Sequence, residues 1–272
     1  MGLLSPGGSG GAGGSLDWVT EADWDFVAIR AAIGSDLDLV PGTEGTKTDA
    51  EFPHDLELKK GTNELGTVMI TANGLEMNSS AVAQTEENGV LLPFGEAMAD
   101  YLSTDIIRVL VLGSSNVDDA GDRPPNNSRW GLSVWADDDA SDPNITLHNR
   151  FNGSAAESFL QRRDGLSGGT NDAAATSPAD SEYTILAAIV LGPFVEYLAG
   201  RGESLPDWGD LAAPPNGDEG TWSQIDDDAL VQPGITPVLA DAVGITVKKA
   251  TANTDTIDVV VPRVVIQRLK VV

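Results

Sequence analysis

Few residues of this chain are equipped for covalent chemistry. It has no Cys and two His, His54 and His148, so disulfides, thiolate nucleophiles and Cys-ligated metal sites are excluded and imidazole chemistry is scarce. Gly165-Leu166-Ser167-Gly168-Gly169 fits G-x-S-x-G. A nucleophile elbow, however, needs a strand before it, a helix after it and a His further along the chain. The flanks here are polar and both His precede Ser167, so a flexible loop is expected instead. Gly8-Ser9-Gly10-Gly11-Ala12-Gly13 fits G-x-G-x-x-G, but no strand leads into it to place a phosphate at a helix N-terminus. No P-loop is present.

Carboxylates are plentiful. Glycosidic acid/base chemistry needs only two of them at a set separation, yet among 42 acids proximity carries no information. The triplets Asp137-Asp138-Asp139 and Asp226-Asp227-Asp228 lack the Gly and terminal Glu of an EF-hand loop. They are read as solvated loops, with Asp137, Asp139, Asp226 and Asp228 as the residues of a cation site in the alternative. His54 and His148 are read as surface or packing residues. N-x-S/T sequons stand at Asn78, Asn126, Asn144 and Asn152.

The elements that would position these groups are mostly strands. β-branched runs at Val68–Ile70, Ile106–Leu112, Trp130–Trp135, Ile145–Leu147, Ile245–Val247 and Ile257–Val261, then Val264–Val271, are separated by Asp, Asn, Gly and Pro clusters. Three helices are expected. The first is capped by Thr20, starts at Glu21 and stops at Gly34; the second runs from Pro93 to near Leu102; the third lies within residues 181–200 and breaks at Gly192-Pro193. Short strands between long polar loops predict a mainly β fold, a jelly roll or β-sandwich with two or three short helices. The alternative is an α+β HK97-like capsid subunit, disfavoured because no long spine helix is visible. Residues 1–15 read as a Gly-rich arm and 16–272 as the domain, with a division into two subdomains, if there is one, near 150–180. Pro93, Phe94 and Glu96 recur as Pro193, Phe194 and Glu196, a faint echo of a duplicated unit.

Charge says more about setting than about chemistry. The formal net charge is −26, with 28 Asp, 14 Glu, 10 Arg and 6 Lys. Like charges at this density repel strongly in dilute buffer, and molar salt screens them. The distribution is uneven. Residues 248–272 hold Lys248, Lys249, Arg263, Arg268 and Lys270 against Asp255 and Asp258, net +3, which leaves −29 on the first 247 residues. Two readings stand: these bases balance acids of neighbouring strands in the same chain, or they form an interface to another copy, to nucleic acid or to membrane headgroups. Gly10 and Gly13 of the arm and the five bases are therefore the interface candidates. The N-terminus lacks a basic n-region and the longest apolar run, Ile185–Leu191, is far short of the ~20 residues that span a bilayer, so a protein without signal peptide or transmembrane segment is expected.

With its arm, strand-rich core, long polar loops, Trp-bearing segments at Trp18–Trp24 and Trp130–Trp135 and segregated charge, the chain resembles virion structural proteins of haloarchaeal viruses. The resemblance is one of composition and architecture and carries over no site residues. It implies a capsid subunit that self-assembles in a high-salt cytoplasm, with a tail-tube or other tail protein as the alternative. A halophilic enzyme or binding module, or a glycosylated spike, are the competing classes. On the virion reading the chain is not an enzyme, takes no cofactor or small-molecule substrate, and partners copies of itself and other virion proteins.

Overall fold

The computed structural model describes residues 16–271 apart from 40–44, 60–64, 80–87, 99, 103, 118–123, 137–142, 152, 154–155, 165–166, 176–181, 204, 206–222, 230, 233–235, 238 and 250–254. For 65, 79, 88, 143, 156–164, 167–175, 223–229, 231–232 and 236–237 it describes the backbone only. The chain opens with β1 (Leu16–Asp25), α1 (Phe26–Ile33), β2 (Leu37–Asp38), β3 (Gly45–Lys47), β4 (Leu56–Lys59), β5 (Leu65–Thr71) and β6 (Gly74–Ser79). There follow β7 (Asn88–Pro93), α2 (Phe94–Ala97), β8 (Ile106–Ser115), β9 (Arg129–Trp135), β10 (Pro143–Phe151), β11 (Ala156–Asp164) and β12 (Ser167–Ala175). The last strands are β13 (Ile185–Leu191), β14 (Phe194–Gly200), β15 (Ser223–Ala229), β16 (Val231–Gln232), β17 (Thr236–Pro237), β18 (Ala242–Lys248) and β19 (Asp258–Val271).

These strands build a β-sandwich. One sheet has the order β15-β14-β13-β8-β19-β6-β5-β2 with β1 added to β19, and the other has the order β12-β11-β10-β9-β18-β7-β4-β3. All the pairings are antiparallel, so alternate residues of a strand face opposite ways. One set forms the core between the sheets: Ile107, Val109 and Val111 of β8, Val264 and Ile266 of β19, Leu132 and Val134 of β9, and Val243 and Ile245 of β18. Hydrogen bonds also tie the layers together. The Tyr197 hydroxyl donates to the Ile145 carbonyl (2.6 Å), Trp130 Nε1 to Glu182 Oε2 (2.8 Å), and Asn149 exchanges two bonds with the Tyr183 backbone. The remaining sides of both sheets carry smaller buried clusters, Leu110, Ala187 and Val265 on one and Leu91, Trp135 and Ala242 on the other.

β19 is the axis of the first sheet. It lies against β8 on one side, and on the other against β6 through Asp258–Val261 and then β1 through Arg263–Val271. The two expected strands at 257–261 and 264–271 are thus one. Pro262 sits where the partner changes and the register with β8 shifts, a place that tolerates a residue with no N–H to give.

Helix is scarcer than expected. Residues 16–25 pair with β19 as a strand, and α1 begins only at Phe26, where Asp25 Oδ1 accepts from the Ala28 N–H; Gly34 ends it as expected, at φ 84°. Burial of Trp24 against Phe26 and Phe52 favours this arrangement over a helix from Glu21. Of the second expected helix only Phe94–Ala97 is helical. The third is a hairpin. Leu191 pairs with Phe194 across Gly192-Pro193, with Gly192 at φ 59°, so the positive-φ residue and the Pro fill the two central positions of a tight turn. Pro93-Phe94 therefore joins a strand to a helix while Pro193-Phe194 closes a hairpin, and the sequence echo has no structural counterpart.

Candidate functional site

The basic residues of β19 are committed within the chain. Arg268 is buried, and its guanidinium meets Glu21 of β1 (3.1 Å), Asp100 (2.7 Å) and Asp105 (3.1 Å). Lys270 reaches the same Glu21 at 2.5 Å, and Arg263 forks onto Asp23 at 2.5 and 2.8 Å. Burial works against the charge on Arg268, but the hydrogen bonds it donates to Asp100, Asp105 and Glu21 outweigh it and raise the pKa; the bond to Asp23 raises that of Arg263. The hydrogen bond from Arg268 in turn holds the Asp100 carboxyl below the usual carboxylate range. Lys248, half-buried at the end of β18, stands opposite Arg129, and Lys249 is buried, which lowers its pKa against a smaller opposing pull from Asp255. Of the two readings of the basic C-terminal region, the one in which acids of neighbouring strands balance it describes Arg263, Arg268 and Lys270.

The other sequence candidates disperse. Gly10, Gly13, Asp137 and Asp139 lie outside the described residues. Asp226 and Asp228 are in a strand rather than a loop, opposite Tyr197 and Val195 in the β14–β15 register. Ser167 opens β12 opposite Asp164, so a strand follows it where a nucleophile elbow requires a helix and where a loop was expected. His148 is buried in β10, on the side of the sheet that bears Ser133, Trp135, Asn144, Thr146 and Thr246. Among the described residues no helix is long and apolar enough to cross a membrane.

A surface of different character lies on the side of the β1-bearing sheet turned away from the core. Thr20, Gln267, Arg108 and Ile189 line up there across β1, β19, β8 and β13. Gln267 Oε1 accepts from Arg108 Nε (2.8 Å) and Nη2 (2.5 Å), while its Nε2 donates to Thr20 Oγ1 (3.3 Å). Burial lowers the Arg108 pKa to about 10, which leaves it cationic at neutral pH. One row along, Trp18 faces Leu269, and the Arg108 guanidinium lies 4.5 Å from the centre of the indole ring, within the range of a cation–π contact. Arg108 is 1% exposed whereas Trp18 is partly exposed. The guanidinium therefore occupies the sheet side of the ring, and the opposite side is the one that solvent reaches. Partly exposed Leu269, Ile106 and Leu191 and the exposed Leu16, Val271 and Phe194 continue the apolar surface on either side.

Sequence reasoning started a helix at Glu21, assigned Trp18 to no element, and so missed this arrangement. The available clue was Arg108 and Gln267, each a polar residue whose neighbours two positions along the strand, Ile106 and Leu110 for the one and Val265 and Leu269 for the other, are apolar.

No protein-family model matches the chain, and no curated protein matches it in sequence. Among solved structures it is similar to the CBM2 module of the evolved Dit of Lactobacillus casei BL23 phage J-1, at 11% identity and a TM-score of 0.50, with 95% of this chain and 99% of that chain covered. It is also matched to a carbohydrate esterase from Shiga toxin-encoding bacteriophage phi24B (10% identity, 92% and 98% covered, TM-score 0.43). A third match is the Ca2+-bound VIP36 exoplasmic/lumenal domain (9% identity, 83% and 87% covered, TM-score 0.46). At such identities the likeness is one of fold, and the phage Dit module shares this sandwich over nearly its whole length.

Proposed function

We propose that the chain is a carbohydrate-binding β-sandwich module carried on the tail of a virion, where it attaches the particle to glycans of the host surface. The observation that carries this reading is the end-to-end correspondence with the CBM2 module of a phage Dit. The exposed aromatic and amide-bearing surface around Trp18 is consistent with a role exercised by binding. A tail role replaces the capsid role as the preferred virion assignment. The net charge of −26 supports a further part of the proposal, that the module works in concentrated salt.

Immunogold labelling of purified virions tests the location: gold at the tail supports the proposal, and gold distributed over the head returns the chain to the capsid class. A glycan array probed in 2 M NaCl tests the activity, and the absence of any bound glycan overturns it. Melting temperature should rise steadily between 0.1 and 3 M NaCl; a flat profile removes the high-salt element.

A further inference from the structure

We infer that the outward face of the Trp18 indole seats one uncharged pyranose ring of a glycan, with Thr20 and Gln267 as hydrogen-bonding partners for its hydroxyls; this rests on the carbohydrate-binding reading above. A pyranose has an apolar face of C–H bonds and a rim of hydroxyls, so it needs a flat apolar surface beside a few fixed polar groups. Trp18 offers the surface. Its underside is occupied by the Arg108 guanidinium, so the ring is held in place before a ligand arrives and little rotamer freedom remains to be lost on binding.

The polar groups are fixed in the same way. Arg108 holds Gln267 Oε1, which turns Nε2 toward Thr20; one Nε2 hydrogen is used on Thr20 Oγ1 and the second is left for a ligand. The Thr20 hydroxyl, already accepting from Gln267, keeps its own O–H to donate. Arg108, Gln267 and Thr20 stand side by side on three paired strands, and their spacing is set by the sheet rather than by a loop. Leu269 and Ile106 extend the apolar floor. The ligand should be uncharged because residues 1–247 carry −29 and Arg108, the cation described at this spot, is buried beneath the indole, so a uronate or sialate gains no exposed counter-charge from it.

The test uses the full chain labelled with 5-fluorotryptophan and followed by fluorine NMR, with the Trp18 resonance assigned by its loss in Trp18→Phe. The probes are cellohexaose, maltohexaose and mannohexaose, with hexagalacturonate as the charged counterpart. At least one neutral hexasaccharide should move the Trp18 resonance; its affinity should fall at least tenfold in Trp18→Ala, three- to tenfold in Thr20→Ala, and less in Trp18→Phe, which keeps an aromatic face. Unchanged resonances of the other five tryptophans in Trp18→Ala establish that the variant is folded. If the sugar moves another tryptophan and not Trp18, or binds Trp18→Ala within twofold of the parent, this site is overturned while the binding-module reading stands. A stronger response to hexagalacturonate overturns the uncharged ligand. If no probe and no arrayed glycan binds, the carbohydrate reading falls and the site with it.

Discussion

Trp130 and Glu182 meet between the two sheets: the indole Nε1 of β9 donates to Glu182 Oε2 at 2.8 Å, and the same carboxylate accepts from the Ser115 backbone N–H and hydroxyl at the end of β8. One carboxylate, 3% exposed, thus serves donors from both layers.

Removing it leaves those donors buried. Glu182→Ala should cost about 3 kcal/mol, since each abandoned buried donor is worth roughly 1–3 kcal/mol, while Glu182→Gln, which keeps one acceptor, should cost about half as much. Urea unfolding at unchanged m-value checks both. A loss below about 0.5 kcal/mol for the alanine variant would show that the Trp130 contact is incidental.

Arg268 is the second keystone. Arg268→Ala leaves Glu21 with Lys270 alone and Asp105 with the Leu102 N–H alone, removes a buried side chain, and should destabilise by about 2–3 kcal/mol. Arg268→Lys should recover less than half, because an ammonium cannot match a planar fork that engages three carboxylates. Equal stability of the lysine variant and the parent would contradict this.

Asp100 gives the cluster a pH signature. Its folded pKa is depressed by the Arg268 hydrogen bond, so its contribution is present above the unfolded value of about 3.9 and is lost as pH falls through the folded value. A carbon-detected titration of the Asp100 carboxyl should return toward the ordinary range in Arg268→Ala. Because the Asp100 side chain is 81% exposed, Asp100→Asn should leave neutral-pH stability almost unchanged.

Gly131 and Gly113 separate two kinds of crowding. A Cβ on Gly131 would fall 2.0 Å from the Leu147 carbonyl oxygen, and relief requires β9 and β10 to part; on Gly113 it would fall 2.8 Å from the rim of the Trp130 ring. Gly131→Ala should therefore cost about 3 kcal/mol or more, and Gly113→Ala about 1–2 kcal/mol. Melting temperatures should drop by roughly 2–4 °C per kcal/mol, with Gly131→Ala the lower.

The sequons differ in access. Asn126 is exposed beside the turn residue Asn127, whereas Asn144 is buried near the start of β10, where its Oδ1 accepts from Thr146 Oγ1. Expressed in a glycosylating host, the folded chain should carry no glycan at Asn144, so that an Asn144→Gln variant has the parent glycan mass. A glycan lost on that substitution would refute the burial argument.

Much of the sandwich was legible from composition and pattern. The β-branched runs at 68–70, 106–112, 130–135, 145–147 and 245–247 are all strands, and Gly34 ends its helix as read. Residues 185–200 misled because their apolar residues are nearly continuous; a strand buried on both faces and a buried helix then share one pattern, and only the tight turn at Gly192-Pro193 distinguishes them. Residues 16–25 misled for a different reason. Their strand conformation is imposed by a partner 247 residues away at positions such as Glu21 and Arg268, and no local propensity encodes that. The Trp18 surface was invisible for the same cause, since its parts come together only once β1, β19 and β8 are aligned.

That β19 is shared between β6 and β1 has a consequence for how the molecule comes into being. Within this domain β1 is made well before its partner, and among the described residues its length pairs with residues 263–271. It must wait, unpaired, until nearly the entire domain has emerged. Closure of the longest loop in the fold, the sealing of Trp24 and the gathering of carboxylates around Arg268 then belong to one late event. Pairing so distant in sequence is intrinsically slow, so the acidic character of the waiting strand, with Asp17, Glu21, Asp23 and Asp25, doubles as protection against premature association while its partner is still being made.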